Sequence, residues 1–239
     1  MSDAPGSETL LASDGSTIAY RMQGKGPGLL LLHGFGFSAK GWWRTGAAQR
    51  LAETHRVIAP DFRAHGESAK PTEASAYGRR LLTDLAELLD HEDVGTGDVV
   101  GFSMGAEIGL ALAVHHPDRV GSLTLSGSGW SPPEIMDEYR KWFDRFAEGN
   151  KPPPNAEALQ ALIQGMPELI GLDAEAVADL PMPIRGIIGE LDDERPYMER
   201  ITQVRPDFAP RILPGLDHLG LWRSPDFPDL LARAVNGSP

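Results

Sequence analysis

A serine set between two glycines is the first feature of this sequence that could carry chemistry. Gly101 and Gly105 flank Ser103, after an apolar run and before a helix-like one. A strand that becomes a helix within two or three residues strains its central residue, and glycines remove the Cβ atoms that would collide there. The serine would then lie at the carboxyl edge of a sheet beside a helix N-terminus, where a nucleophile is expected. The alternative is a glycine-rich turn with an incidental serine.

A serine hydroxyl needs a base to become nucleophilic, and His218 is the candidate among the seven histidines. It follows the last predicted strand, 211–213, and so lies on the same sheet edge as Ser103. His115 and His116 end the helix after the serine, roughly 18 Å away at about 1.5 Å per residue. The alternative for His218 is a loop histidine packed on its neighbours. The other four are assigned to the surface or precede the serine in the chain: His33, His55, His65 and His91.

An acid that orients the imidazole is predicted in the loop after the apolar run 184–188. This loop reads GELDDE and carries four carboxylates at the same edge of the sheet. The three-residue spacing from Gly189 favours Asp192, with Asp193 as the alternative. A solvated acidic turn without a catalytic role would have the same composition. Ser103, Asp192 and His218 are therefore the predicted catalytic residues.

These candidates follow strands in a chain whose short apolar runs alternate with helical patterns. Runs bounded by glycine or proline are typical of strands buried on both faces of a sheet. The predicted strands are 16–20, 28–32, 56–59, 98–101, 120–125, 184–188 and 211–213. The predicted helices are 39–53, 77–91, 104–116 and 224–235. The alternation predicts an α/β fold with a mostly parallel twisted sheet covered by helices on both faces.

The stretch from Trp130 to about Leu180 contains no convincing strand. Amphipathic helices are predicted at 134–147 and near 156–164. We therefore predict a small helical lid, 130–181, inserted into a core formed by 1–129 and 182–239. The residues proposed for an apolar acyl pocket are Trp42, Trp130, Trp142 and Phe143. Packing of the lid on the core is the alternative role for these aromatic side chains.

Composition excludes several function classes. The 239 residues carry a net charge of −12, which disfavours binding to nucleic acid or to anionic membranes. No cysteine is present, which excludes disulfides, thiolate nucleophiles and cysteine-based zinc sites. The first ten residues lack a basic start and an apolar core, and the apolar run 29–32 is too short to span a bilayer. We therefore expect a soluble, cytoplasmic protein, whose oligomeric state the sequence leaves open.

Taken in their order along the chain, the motifs resemble those of the α/β-hydrolase superfamily, especially compact bacterial esterases, lactonases and cofactor-free haloperoxidase-like members. The segment 29–36, LLLLHGFG, is similar to the family's strand and oxyanion loop, and 61–68, DFRAHGES, to its glycine-rich turn. The order serine, aspartate, histidine is also the family's order. The resemblance implies that Ser103 attacks an acyl carbon, His218 transfers the proton and Asp192 orients the imidazole. It further implies an oxyanion hole made by the backbone N–H groups of Phe35 and Met104.

The expected function is hydrolysis of a small-to-medium acyl substrate, an ester or lactone, through an acyl-enzyme on Ser103. No cofactor or metal is expected, and the expected partner is a small-molecule substrate. Thioester and C–C bond hydrolysis remain open because they use the same machinery. A serine nucleophile disfavours dehalogenase and epoxide-hydrolase chemistry, which uses a carboxylate at this position.

Two alternatives come from other classes of protein. Gly34-x-Gly36-x-x-Ala39 follows a buried strand, and Asp61 lies 22 residues beyond Ala39, which fits a dinucleotide-binding fingerprint in miniature. However, Trp42 is bulky where that helix would approach a pyrophosphate, and NAD(P) binding leaves the serine motif unexplained. The second alternative is a non-catalytic ligand-binding relative of the hydrolases. Such proteins usually lack a triad member, whereas all three candidates are present here.

Overall fold

One eight-stranded sheet organises the protein. The structure is a computed structural model that describes residues 4–149 and 154–237, with side chains described for 4–144 and 154–237. The strands are β1 (Glu8–Leu11), β2 (Thr17–Gln23), β3 (Gly28–Leu32), β4 (Arg56–Pro60), β5 (Gly97–Phe102), β6 (Val120–Ser126), β7 (Ile184–Gly189) and β8 (Arg211–Leu213). Their order is β1-β2-β4-β3-β5-β6-β7-β8, in which β2 is antiparallel to both neighbours and β4 to β8 run parallel with β3.

Helices cover both faces of this sheet. They are α1 (Lys40–Arg44), α2 (Ala47–Leu51), α3 (Arg79–His91), α4 (Met104–His115), α5 (Ile135–Gly149), α6 (Ala156–Gly165), α7 (Pro167–Ile170), α8 (Ala174–Ala178), α9 (Arg195–Arg200), α10 (His218–Arg223) and α11 (Phe227–Val235). Short 3₁₀ turns lie at Ala74–Ala76, Pro117–Arg119 and Ile201–Gln203. The predicted α/β class with a mostly parallel sheet is confirmed.

The central strand β3 shows why a continuous apolar run forms a strand here. Successive side chains of a strand point to opposite faces. Leu30 and Leu32 pack in a core that includes α3, α4 and the helices after β6, whereas Leu29 and Leu31 pack in a second core with α1, α2 and α11. All four leucines are fully buried. Burial on both faces holds the carboxyl ends of β3, β5 and β7 in one rigid edge.

Several elements differ from the sequence prediction, among them the short helices α7, α8 and α9, which were not predicted. The edge strand β1 was missed because only Leu10 of its four residues is buried, so it carries little hydrophobic pattern. The predicted helix 39–53 is divided into α1 and α2 by Gly46, whose φ of 83° breaks the helical geometry. The helix α10 begins at His218, in a segment for which the sequence predicted neither a helix nor a strand.

The stretch between β6 and β7 is helical, with α5 to α8 and no strand in its described part. The amphipathic pattern of α5 is explained by burial of Ile135, Tyr139 and Phe143 against the core. The division of the chain into a core and an inserted lid stays a prediction. No helix within the described residues has both the length and the apolar character needed to cross a membrane.

Candidate active site

Ser103 occupies a strained turn between β5 and α4. Its backbone angles, φ of 54° and ψ of −125°, lie in a region that residues other than glycine rarely adopt. The Ser103 N–H donates to the carbonyl of Ser126 on β6 at 2.8 Å, which fixes the turn to the sheet. A Cβ atom on Gly101 would overlap the Gly105 backbone, and one on Gly105 would overlap the Leu32 carbonyl. Both glycines are therefore required by the tight passage from strand to helix.

His218 and Asp192 form a hydrogen-bonded pair at the same sheet edge. The Nδ1 atom of His218 lies 3.0 Å and 3.2 Å from the two carboxylate oxygens of Asp192. The Asp192 side chain is fully buried, whereas that of Asp193 next to it is exposed. Asp217 caps α10 by accepting from the Gly220 N–H at 2.6 Å, and this orients the helix whose first residue is His218.

The pKa of His218 results from opposing effects. Burial alone would lower it, but the hydrogen bond to Asp192 and the negative charges of Glu194, Asp192 and Glu107 outweigh burial and raise the pKa. A charged imidazolium at this position is therefore stabilised. That is the electrostatic requirement for a base that must hold a proton during a reaction.

Ser103 and His218 line one largely apolar cavity. Its aromatic walls are Phe35, Phe37, Phe102, Tyr139 and Trp142. Gly34, Ile135 and Leu219 complete the uncharged part, and Glu138 and Glu194 supply two carboxyl groups. Lysine and arginine are absent from the described residues that line it. The cavity thus suits an uncharged acyl group better than an anionic one.

Of the predicted pocket residues, Trp142 lines this cavity and the other three pack elsewhere. Trp42 contacts Trp222 at a ring distance of 4.8 Å, in the core on the opposite face of the sheet. Trp130 donates to the carbonyl of Leu172 at 3.1 Å and packs under Arg200. Phe143, which belongs to α5, is buried in the core on which this helix packs. Composition does not determine which way an aromatic side chain points, and that direction decides whether the side chain lines the cavity or packs in a core.

Two backbone N–H groups are available beside Ser103 for an oxyanion. Met104 is the first residue of α4, where amides have no partner within the helix. Phe35 lies in the loop after β3, and a Cβ on Gly34 in that loop would lie 3.3 Å from the Cβ of Ser103. Among the described residues, neither amide donates a hydrogen bond to a protein acceptor. Both were predicted as the oxyanion hole, and that role stays a prediction.

Buried histidines hold this loop in place. His65 Nε2 accepts from the Gly36 N–H at 3.0 Å, and His33 Nε2 accepts from the Phe62 N–H at 3.1 Å. Burial lowers the pKa of His33 to about 4 and that of His65 to about 3, so both rings are neutral near pH 7 and can accept. No role was predicted for these two histidines, because both precede Ser103 in the chain.

Two buried glutamates near His218 were also missed. Glu107 on α4 accepts from Ser131 Oγ at 2.5 Å and from Tyr139 Oη at 2.7 Å. Burial raises the pKa of Glu107. It raises that of Glu194 to about 8, an effect that His218 opposes and Glu107 reinforces. A single acid in the otherwise apolar segment MGAEIGLALA could have indicated Glu107.

The glycine loop that fits a nucleotide fingerprint in sequence has another role in the structure. Gly34 and Phe35 line the cavity beside Ser103. Asp61, the expected ribose partner, is buried and accepts from the Ala39 N–H at 2.7 Å and the Glu67 N–H at 2.8 Å. Its carboxylate is therefore used to join two loops. Among the described residues, no group of three or more acidic, histidine or cysteine side chains is placed to hold a metal ion.

Comparisons with known proteins place these features in a family. The chain is 42% identical over 131 residues to 2-hydroxymuconate semialdehyde hydrolase of Pseudomonas sp. strain CF600, covering 52% of this chain and 46% of that protein. It is 34% identical over 137 residues to 2-hydroxy-6-oxo-6-(2'-aminophenyl)hexa-2,4-dienoic acid hydrolase of Metapseudomonas resinovorans, covering 56% and 46%. The matches thus span about half the length of these relatives.

Similarity over nearly the whole chain is found in a comparison with solved structures. The enol-lactonase from Burkholderia xenovorans LB400 superposes with a TM-score of 0.77 and 18% identity, over 96% of this chain and 98% of that one. At that identity the similarity establishes the fold. A family model described as alpha/beta hydrolase fold matches residues 27–209. This chain therefore belongs to the alpha/beta hydrolase fold family.

Proposed function

We propose that this protein is a serine hydrolase that cleaves a small-to-medium carboxylic ester or lactone through an acyl-enzyme on Ser103. One observation carries the proposal: strained Ser103 and the hydrogen-bonded His218 converge on one apolar cavity, with Asp192 buried behind the imidazole. Nucleophile, base and orienting acid are each delivered by a different strand end. This is the arrangement that activates a hydroxyl in serine hydrolases.

The residues perform the reaction in two stages. His218 Nε2 takes the proton of Ser103 Oγ as this oxygen attacks the acyl carbon, while Nδ1–H donates to Asp192. The tetrahedral oxyanion accepts from the Phe35 and Met104 amides, each contributing on the order of 10²–10³ in rate. Collapse expels the alcohol, which receives the proton from His218. Water, activated by the same imidazole, then releases the acid and restores Ser103.

The buried histidines support this chemistry by fixing the donors in advance. Because the Gly36 N–H is held by His65, the preceding amide of Phe35 is fixed in direction before substrate enters. Donors that need not reorganise during the reaction give the largest electrostatic benefit. His65 is thus a positioning residue for the oxyanion loop.

A second candidate is hydrolysis of a C–C bond beside a carbonyl, favoured by the names of the two relatives above. The lining of the cavity argues against it. The substrate named for the Metapseudomonas relative is a carboxylic acid, whereas no lysine or arginine lines this cavity among the described residues. A carboxylate that enters would therefore lose its hydration without gaining a counter-charge, which is unfavourable. We therefore place ester or lactone hydrolysis first.

A substrate panel tests the proposal. p-Nitrophenyl esters of increasing length, simple lactones, acyl-CoA thioesters and a vinylogous 1,5-diketone acid are compared by kcat/KM. Ester or lactone turnover should exceed the others and should vanish in Ser103→Ala. The exposed Ser13→Ala serves as the matched control. Preferred turnover of the diketone acid would instead support the second candidate, and full activity of Ser103→Ala would overturn both.

A further inference from the structure

Glu194 lines the cavity with a carboxyl group that has one oxygen unpartnered; a hydrogen bond from Ser128 acts on the group and lowers its pKa against the larger effect of burial. Its Oε2 atom is shielded from solvent, and no described group hydrogen-bonds to it. The Glu194 N–H donates to Asp192 Oδ1 at 3.0 Å, so the residue is fixed directly after the loop that holds His218. A shielded carboxylate without a counter-charge is unfavourable, so either a proton or a ligand must compensate it.

The other acids near Glu194 are already satisfied. Asp192 is paired with His218, and Glu107 accepts from Tyr139, Ser128 and Ser131. At the rim, Glu138 is paired with Lys141 at 2.6 Å. Arg195, the next residue in the chain, pairs with Glu199 at 2.8 Å. Among the described acids of this group, Glu194 is the one that has neither an ion pair nor a hydrogen bond to its Oε2 atom.

Aromatic rings line the same cavity as this carboxyl group. Phe35 and Tyr139 meet edge to face, with centroids 5.2 Å apart, and Trp142 lines the same cavity. Aromatic faces attract cations through their negative quadrupole, and aromatic cages are a common way to bind substituted ammonium groups. A carboxylate adjoining such rings strengthens the attraction.

We propose that the cavity accepts an ester carrying a substituted ammonium group, which binds between Glu194 and the rings of Phe35, Tyr139 and Trp142. Hydrolysis of that ester rests on the proposed function, whereas binding of the cation does not. The cation supplies the missing counter-charge of Glu194 in a site where no lysine or arginine lines the wall among the described residues.

A pair of substrates with the same shape tests this directly. Acetylcholine and 3,3-dimethylbutyl acetate differ in the charge of one quaternary centre. At pH near 9, kcat/KM for the cationic ester should exceed that for the neutral ester by roughly tenfold or more. Glu194→Gln should reduce this ratio to near one. Asp193→Asn, which removes an exposed charge from the same loop, should leave the ratio unchanged.

The ratio should also depend on pH in a definite direction. The titratable groups around Glu194 are His218, Glu107, Asp192, Tyr139, Tyr197 and, on the same cavity wall, Glu138; burial raises the pKa of Glu194 to about 8. Below that pH the carboxyl group is protonated and loses its attraction for a cation. KM for acetylcholine should therefore fall as pH rises through about 8, while KM for the neutral ester stays level. A purely structural role of Glu194 would not produce this difference.

Binding without turnover separates this inference from the proposed function. Choline and 3,3-dimethylbutan-1-ol are titrated calorimetrically into wild-type protein and into Ser103→Ala. Tighter binding of choline by both proteins, lost in Glu194→Gln, supports the inference even if no ester is hydrolysed. Equal affinity for the two alcohols, tighter binding of the neutral one, or a preference that survives Glu194→Gln overturns it.

Discussion

Replacing Asp192 by asparagine tests how His218 is held. The buried carboxylate lies 3.0 Å and 3.2 Å from Nδ1, so it selects the tautomer with the proton on that nitrogen and leaves Nε2 free to accept. The amide of asparagine can present its NH₂ to Nδ1 and favour the opposite tautomer. In the trypsin example this change lowers kcat by about 10⁴, which corresponds to about 5.4 kcal/mol of transition-state stabilisation.

The structure also predicts that Asp192→Asn still folds. Asparagine Oδ1 can keep the hydrogen bond from the Glu194 N–H, which is 3.0 Å long in the native protein. The side chain volume is nearly unchanged. We therefore expect a cooperative thermal transition close to that of the native protein, together with the loss of kcat. The assay is saturation kinetics on one p-nitrophenyl ester, with thermal unfolding of the same samples.

Asp193→Asn is the matched control because its side chain is exposed. Loss of one surface charge should change kcat by well under about tenfold. The pH profile gives a second readout, since neutral His218 is the active base and activity falls as pH falls through its raised pKa. Residual activity of Asp192→Asn should extend to lower pH. Near-native kcat in Asp192→Asn, together with a large loss of kcat in Asp193→Asn, would refute this assignment.

Three further predictions concern the elements around Ser103, Asp192 and His218. Gly105→Val should not give a folded, active protein, because its Cβ overlaps the Leu32 carbonyl; full activity with normal unfolding would exclude the tight turn. His65→Phe leaves the Gly36 N–H unpaired, should cost about 1–3 kcal/mol of stability and lower kcat more than it raises KM, whereas His65→Gln restores an acceptor and much of both. Equal kinetics in the two variants would show that the loop does not need this hydrogen bond. Trp142→Ala should change the acyl-length profile more than turnover of a small acetate, and uniform losses across chain lengths would assign Trp142 to packing alone.

Local sterics and strand order made much of the fold predictable. The glycines around Ser103 and the apolar runs of β3 and β5 act through neighbouring residues, so their consequences can be read from sequence. Strand order then places the ends of β5, β7 and β8 on one edge, which brought the segments of Ser103, Asp192 and His218 together. Spacing from Gly189 favoured Asp192, and in the structure this carboxylate hydrogen-bonds to His218.

Roles that depend on tertiary contacts were not predictable. Glu194 and Glu107 owe their raised pKa values to burial, and only Glu107, a single acid in an otherwise apolar segment, has a sequence signal that could have indicated it. His33 and His65 gained their partners from loops after two different strands. Trp42 was assigned to the pocket because α1 follows the oxyanion loop, but its side chain turns into the opposite core. Each of these roles depends on the direction or the burial of a side chain rather than on the position of an element.

The most direct test of the central claim is covalent labelling of Ser103. Native protein is treated with a fluorophosphonate, digested and mapped by mass spectrometry. We expect one adduct per chain, on Ser103, with none formed by Ser103→Ala and full labelling of Ser13→Ala. An adduct on another residue, or labelling that persists in Ser103→Ala, would contradict the assignment of Ser103 as nucleophile.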